Sequence, residues 1–150
     1  MSAKREDADL LLRLYEMRRE PKLREARAYF MGKFCAQTLD ELNAVLQNPE
    51  SSALLRQSVT YWEMVASLVN RGLLDTELFF ENTGELPYFW EKLKAVVPAQ
   101  REAMKNPLLY ANIEKLATAY FTWAEKRAPG SAAAFQARIA DGVAKLRAAR

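Results

Sequence analysis

The sequence predicts an all-α fold: a single-domain bundle of about seven to eight helices, several of them short. Three observations support this. Helix-forming residues dominate, and only 5 Gly and 6 Pro interrupt 150 residues. Apolar residues recur three or four positions apart, as on one face of a helix, and do not alternate as in a strand. Turn and capping residues divide the chain into segments of helical length.

Three helices are predicted in the first 47 residues. Residues 1–7 lack an apolar pattern and are expected to form a disordered tail. The first helix runs from about residue 8 to residue 19. Pro21 suits the first position of a second helix, which ends near Phe34. The sequence from Thr38 to Glu41 matches a capping box and starts a short helix to Gln47.

The strongest helical pattern lies in residues 52–71, which are predicted to form the central helix. Gly72 can end this helix in a left-handed conformation. Asp75 is placed to cap a short helix. The next helix covers about residues 86–97, with a continuation past Pro98 to residue 105.

The predicted core domain, residues 8–127, ends with a long helix that starts after Asn106-Pro107. Residues 128–150 contain a Pro-Gly break and a basic amphipathic helix. The apolar stripe of this last helix is narrow, so we expect a second copy or another protein to cover it. Its members are Phe135, Ile139, Val143 and Leu146.

Composition excludes several kinds of chemistry. The chain has no histidine, which removes Ser-His-Asp and Cys-His catalysis and imidazole metal sites. The glycines are isolated, so no phosphate-binding loop is present. Cys35 cannot form an internal disulfide, and it follows Phe34 on an apolar patch, which indicates an inert packed thiol. We therefore predict no cofactor, no metal and no catalytic residue.

The charge distribution argues against a nucleic-acid partner. The net charge is only +3, and most of the excess lies in the last helix. Basic residues between Arg18 and Arg27 alternate with Glu16, Glu20 and Glu25, a pattern typical of ion pairs on a helix surface. No apolar run is long enough to span a membrane, and no secretory signal is recognisable. These features predict a cytoplasmic protein.

Clustered aromatic residues are the most distinctive feature of the sequence. One interpretation is a thick aromatic core with tyrosine hydroxyls at its margin. The other is an apolar groove for a partner helix or a small ligand. The candidate groove residues are Tyr61, Trp62, Phe79, Tyr88, Trp90 and Tyr120.

Part of the chain resembles a bacterial family, the domain of unknown function 4760. The resemblance covers roughly residues 55–115. It rests on Tyr61-Trp62-Glu63, on residues 68–75 with their Gly-Leu-Leu-Asp turn, on residues 88–93, and on Arg101. The resemblance implies a helical fold but supplies no reaction, substrate or catalytic residue.

The sequence therefore leaves three main functions open, and a fourth in which the basic residues of the last helix contact an anionic membrane or nucleic acid: Arg138, Lys145, Arg147 and Arg150. The first is a non-enzymatic protein interaction module that uses the last helix or the aromatic groove. The second is a helical protein that binds a small apolar ligand. The third is an enzyme that uses carboxylates, for which the candidates flank the aromatic segments: Glu63, Glu81, Glu85, Glu91 and Glu114.

Overall fold

A computed structural model describes residues 2–150 of the chain, which fold into nine α-helices without a β-strand. The all-α prediction is therefore confirmed at the level of fold class. The helices are α1 (Arg5–Arg18), α2 (Pro21–Gly32), α3 (Leu39–Gln47), α4 (Pro49–Asn70), α5 (Thr76–Asn82), α6 (Glu85–Leu93), α7 (Val97–Met104), α8 (Ala111–Arg127) and α9 (Ser131–Ala148).

The predicted count of seven to eight helices is too low because α6 and α7 are separate. Helix α6 ends at Leu93, and a turn over residues 94–96 precedes α7. Pro98 lies in the first turn of α7. Since proline has no N–H, it cannot donate the helical hydrogen bond to the carbonyl four residues earlier. The predicted continuous segment therefore breaks there.

The expected disordered tail is helical from Arg5 onwards, and Met1 lies outside the described residues. The Asp7 carboxylate explains this early start. It accepts hydrogen bonds from the Lys4 N–H (2.7 Å) and from the Asp75 N–H at the start of α5 (2.8 Å). One side chain thus caps α1 and ties it to the body of the protein.

Predicted caps lie at several helix termini. The Thr38 hydroxyl accepts the Glu41 N–H, although Glu41 in turn accepts from Gln37 and not from Thr38 itself. Asp75 caps α5 through the Leu78 N–H (2.8 Å). Gly72 has a φ of 74° and follows the central helix.

Two helix starts differ from prediction. Asn48 caps α4 through the N–H groups of residues 50 and 51, so this helix begins at Pro49 and not near residue 52. The Asn106 side chain accepts the Leu108 N–H (3.1 Å) in a turn, and α8 begins only at Ala111. Tyr110 precedes it with a φ of 57°.

The central helix α4 packs against α2 and α8, and α6 packs against α8 and α9. Aromatic rings fill the centre. Phe30 stacks on Phe89, with ring centroids 3.9 Å apart, and on Phe34 at 4.9 Å. Trp62 lies 6.1 Å from Phe89. Burial of these large rings supplies much of the hydrophobic stabilisation of the bundle.

Candidate functional site

The six predicted groove residues do not line one groove; the structure divides them among three places. Tyr61, Trp62 and Phe79 border one cleft between α1, α4 and α5. Tyr88 is half-buried, and its hydroxyl donates to the Met31 carbonyl (3.3 Å). Trp90 and Tyr120 lie farther along, where α6 and α8 meet α9.

Around Tyr120 the rings interlock. The Tyr120 ring contacts Phe80 and Trp123, with centroids 5.4 and 5.6 Å apart, and Phe135 of α9 at 6.1 Å. The Phe121 ring also contacts Phe135 at 5.8 Å. This part of the aromatic pattern is therefore core and interhelical packing, as the first interpretation of the aromatic clusters proposed.

A half-open cleft with a mostly apolar lining lies between α1, α4 and α5. Its volume is about 220 Å³. Arg18 is the only charged side chain in its lining. The complete lining consists of Leu11, Leu12, Leu14, Tyr15, Arg18, Tyr61, Trp62, Phe79, Asn82 and Thr83.

Helix α1 provides half of this lining, and sequence reasoning missed its role. Leu14 is buried against the body, and Leu11 is half-buried. Leu12 and Tyr15 remain largely exposed at the rim, with 63% of Leu12 accessible. The sequence signal for this role was the breadth of the apolar side of α1. This side is wider than the stripe that packing alone requires.

Two aromatic side chains fix the floor of the cleft. The Tyr61 hydroxyl donates to the Leu14 carbonyl (2.5 Å), and burial raises the pKa of Tyr61 to about 12. Tyr61 therefore stays protonated at neutral pH and links α4 to α1. Trp62 is only 1% exposed, and its buried indole N–H has no acceptor among residues 2–150.

An ion pair lies beside the cleft. Arg27 donates through Nε to one oxygen of the Glu85 carboxylate and through Nη2 to the other, both at 2.6 Å. This hydrogen bond raises the pKa of Arg27 above its ordinary value. Arg27 also donates to the Arg18 carbonyl (3.1 Å), while the Arg18 guanidinium lies 3.9 Å from Glu85. The pair fixes α2 to the start of α6 and leaves Arg18 at the cleft edge.

The carboxylates considered for acid-base chemistry have structural partners. Glu63 reaches from α4 to the start of α8, where it accepts from the Ile113 N–H and the Asn112 side chain, both at 2.9 Å. This contact replaces a local N-cap. The others pair with basic or amide side chains: Glu81 with Arg127, Glu85 with Arg27, Glu91 with Lys94 and Gln136, and Glu114 with Arg101.

Lys92 is a buried charge that sequence reasoning did not single out. It is 4% exposed, and its Nζ donates to the carbonyls of Phe30 (2.5 Å) and Met31 (3.3 Å) in the last turn of α2. Burial lowers the pKa of Lys92 to about 8. The sequence signal was its position three residues after the core residue Phe89, which places both side chains on the same face of α6.

The last helix is covered by the chain itself. Ile139 is 6% exposed, and the other three stripe residues, Phe135, Val143 and Leu146, are half-buried. Helix α9 packs on α6 and α8. The uncovered stripe that suggested a partner is therefore largely absent.

A second contact fixes the end of α9. Arg147 donates to both Glu41 carboxylate oxygens (2.5 and 2.9 Å) and to the Cys35 carbonyl (2.9 Å). These bonds lower the pKa of Glu41 to about 2, with Arg147 as the main cause. Cys35 is buried, as expected of a packed thiol, and its Sγ lies 3.0 Å from an Arg150 nitrogen.

Within residues 2–150, no three or more Cys, Asp and Glu side chains are grouped closely enough to hold a metal ion. None of the helices described combines the length and apolar character needed to cross a membrane.

Comparison with known proteins gives one match. No curated protein and no solved structure matches the chain. The family model described as Domain of unknown function (DUF4760) matches residues 5–123, a span that contains α1 to α7 and most of α8. That span includes the whole cleft and excludes α9. The chain therefore belongs to the DUF4760 family.

Proposed function

We propose that the protein binds a small, largely apolar molecule in the cleft between α1, α4 and α5. The observation that carries this proposal is a concave surface of about 220 Å³ whose lining is mostly Leu, Tyr, Trp and Phe. Ligand sites are typically concave and apolar, with a few polar groups that fix orientation. The cleft has this composition, with Arg18, Asn82 and Thr83 as its polar members.

The volume limits the size of the ligand. An apolar cavity of about 150 Å³ holds a benzene molecule, and sites for drug-sized ligands start at about 300 Å³. A cleft of about 220 Å³ lies between these values. The expected ligand is therefore a single ring or a short hydrocarbon chain, and not a nucleotide or a large cofactor.

The test is a titration with toluene and 1-hexanol, followed through the methyl NMR signals of Leu11 and Leu14. We expect saturable shifts in the wild type. Leu12→Trp places a bulky ring at the cleft rim and should abolish them. Leu108→Trp makes the same change at an exposed position outside the cleft and should preserve them. Absence of saturation, or identical binding by the Leu12→Trp variant, would overturn the proposal.

A second candidate, self-association, is favoured by exposed apolar residues on both sides of α1. Leu12 and Tyr15 lie at the cleft rim, and Met17 and Met64 border a shallow apolar surface between α1 and α4. Methionine-rich surfaces suit adaptable contacts. This face is a better interaction surface than α9, whose apolar residues are already packed. Light scattering should show a mass above 17.1 kDa that Met17→Lys reduces; a monomer at high concentration would contradict it.

A further inference from the structure

We infer that the molecule bound in the cleft is an amphipathic monocarboxylate, with its tail between α1, α4 and α5 and its carboxylate on Arg18. This inference rests on the proposed function and specifies the ligand class. It follows from the way in which Arg18 is paired, from the charge around it and from the position of its guanidinium.

The pairing of Arg18 is incomplete. Its side chain is only 18% exposed, yet within residues 2–150 its guanidinium makes no hydrogen bond. Glu85 lies 3.9 Å away, but both oxygens of that carboxylate already accept from Arg27 at 2.6 Å. A guanidinium carries five N–H donors in a planar fork. Arg18 therefore has donors to offer a further anion.

Beside the cleft, the positive charges exceed the negative charges by one. Arg18 and Arg27 carry two positive charges, and Glu85 supplies one negative charge. The remaining lining residues of the cleft are neutral. One additional negative charge would balance the group, which favours a monoanionic carboxylate over a doubly charged phosphate. A carboxylate also matches the fork of an arginine side chain.

Two rings hold the guanidinium at the boundary between the apolar cleft and solvent. Its central carbon lies 4.6 Å from the centroid of the Tyr15 ring and 6.0 Å from that of Trp62. Both rings also line the cleft. An arginine stacked on aromatic rings loses little further side-chain freedom when it binds an anion. A head group on Arg18 would thus leave its hydrocarbon tail beside Leu11 and Phe79.

The experiment compares three ligands with the same tail and different heads by calorimetry: octanoate, 1-octanol and octylammonium. We expect the wild type to bind octanoate about tenfold or more tightly than octanol, because a hydrogen bond to a charged group contributes that much. Octylammonium should bind most weakly. Arg18→Met should weaken the binding of octanoate by the same factor and leave the binding of octanol unchanged. Arg18→Lys keeps the charge but not the fork and should bind octanoate with intermediate affinity.

Arg13→Met is the matched control, since Arg13 is exposed on the same helix and lies outside the cleft. It should bind octanoate like the wild type. Equal affinity of the wild type for octanoate and octanol would overturn the head-group inference and leave the apolar cleft intact. Binding of neither ligand would overturn the proposed function itself. An equal loss of octanoate affinity in the Arg13→Met and Arg18→Met variants would show general charge attraction and would also overturn the inference.

Discussion

Replacing Lys92 with Met should change how the stability of the protein depends on pH. The Lys92 ammonium is buried and bound to carbonyls in the last turn of α2, and burial lowers its pKa from 10.5 to about 8. Between these two values the unfolded chain holds a proton that the folded chain lacks. By linkage, the contribution of Lys92 to stability therefore rises as the pH rises through this window.

The size of the effect follows from the two pKa values. One pKa unit corresponds to about 1.36 kcal/mol. From pH 7 to pH 10, the wild type should therefore gain roughly 2–3 kcal/mol of unfolding free energy relative to Lys92→Met. Groups whose surroundings the substitution leaves unchanged contribute equally in both proteins and cancel in the difference.

The assay is urea denaturation followed by far-UV circular dichroism at half-unit pH intervals from 7 to 10. The difference in unfolding free energy between wild type and Lys92→Met should change steadily in favour of the wild type. Lys115→Met alters an exposed lysine of α8 and should show no such trend. A constant difference for Lys92→Met would refute the reasoning, because it would mean that Lys92 has the same pKa in the folded and unfolded chains.

Three further predictions concern ring packing, a helix cap and an ion pair. Phe30→Ala removes a ring stacked between two others and should cost roughly 3–5 kcal/mol in urea denaturation. Glu63→Ala removes the cap of α8 and should lower the free energy of unfolding by about 1–2 kcal/mol. Amide exchange in the first turn of α8 should become faster. Faster exchange confined to α4 would contradict the capping role. Glu41 has a pKa of about 2 in the fold, so its stabilising bond with Arg147 is present above about pH 4.5 and is lost as the pH falls towards 2. The stability difference between wild type and Arg147→Met should therefore shrink over that range, and a difference that stays constant would show that the pair does not stabilise α9.

The elements that sequence predicted well are those with local causes. Thr38 and Asp75 cap their helices through groups three residues away, and Gly72 turns the chain without a distant partner. The pattern of residues 52–71 predicted the central helix because its apolar face is buried along nearly its whole length. The start of α8 was predicted wrongly because its cap comes from Glu63 of α4, far away in sequence. The start of α4 was also predicted wrongly, although its cap at Asn48 is local.

The candidate site was harder to predict because its chemistry depends on distant pairs. Arg18 looked like a member of a local ion-pair series with Glu16 and Glu20. In the fold its neighbouring carboxylate is Glu85, which is far away in sequence and already paired with Arg27. Adjacent aromatics such as Tyr61 and Trp62 do reach the same cleft, but the sequence could not show that Tyr120 joins another cluster.

The contacts of α9 have a consequence for how fragments of this protein are made. The family match ends at residue 123, inside α8, while Phe135 covers the rings of Tyr120 and Phe121. A recombinant fragment cut at that boundary would expose these rings to water and lose the last turn of α8. Such a fragment is expected to aggregate, and expression designs should extend at least through Arg147.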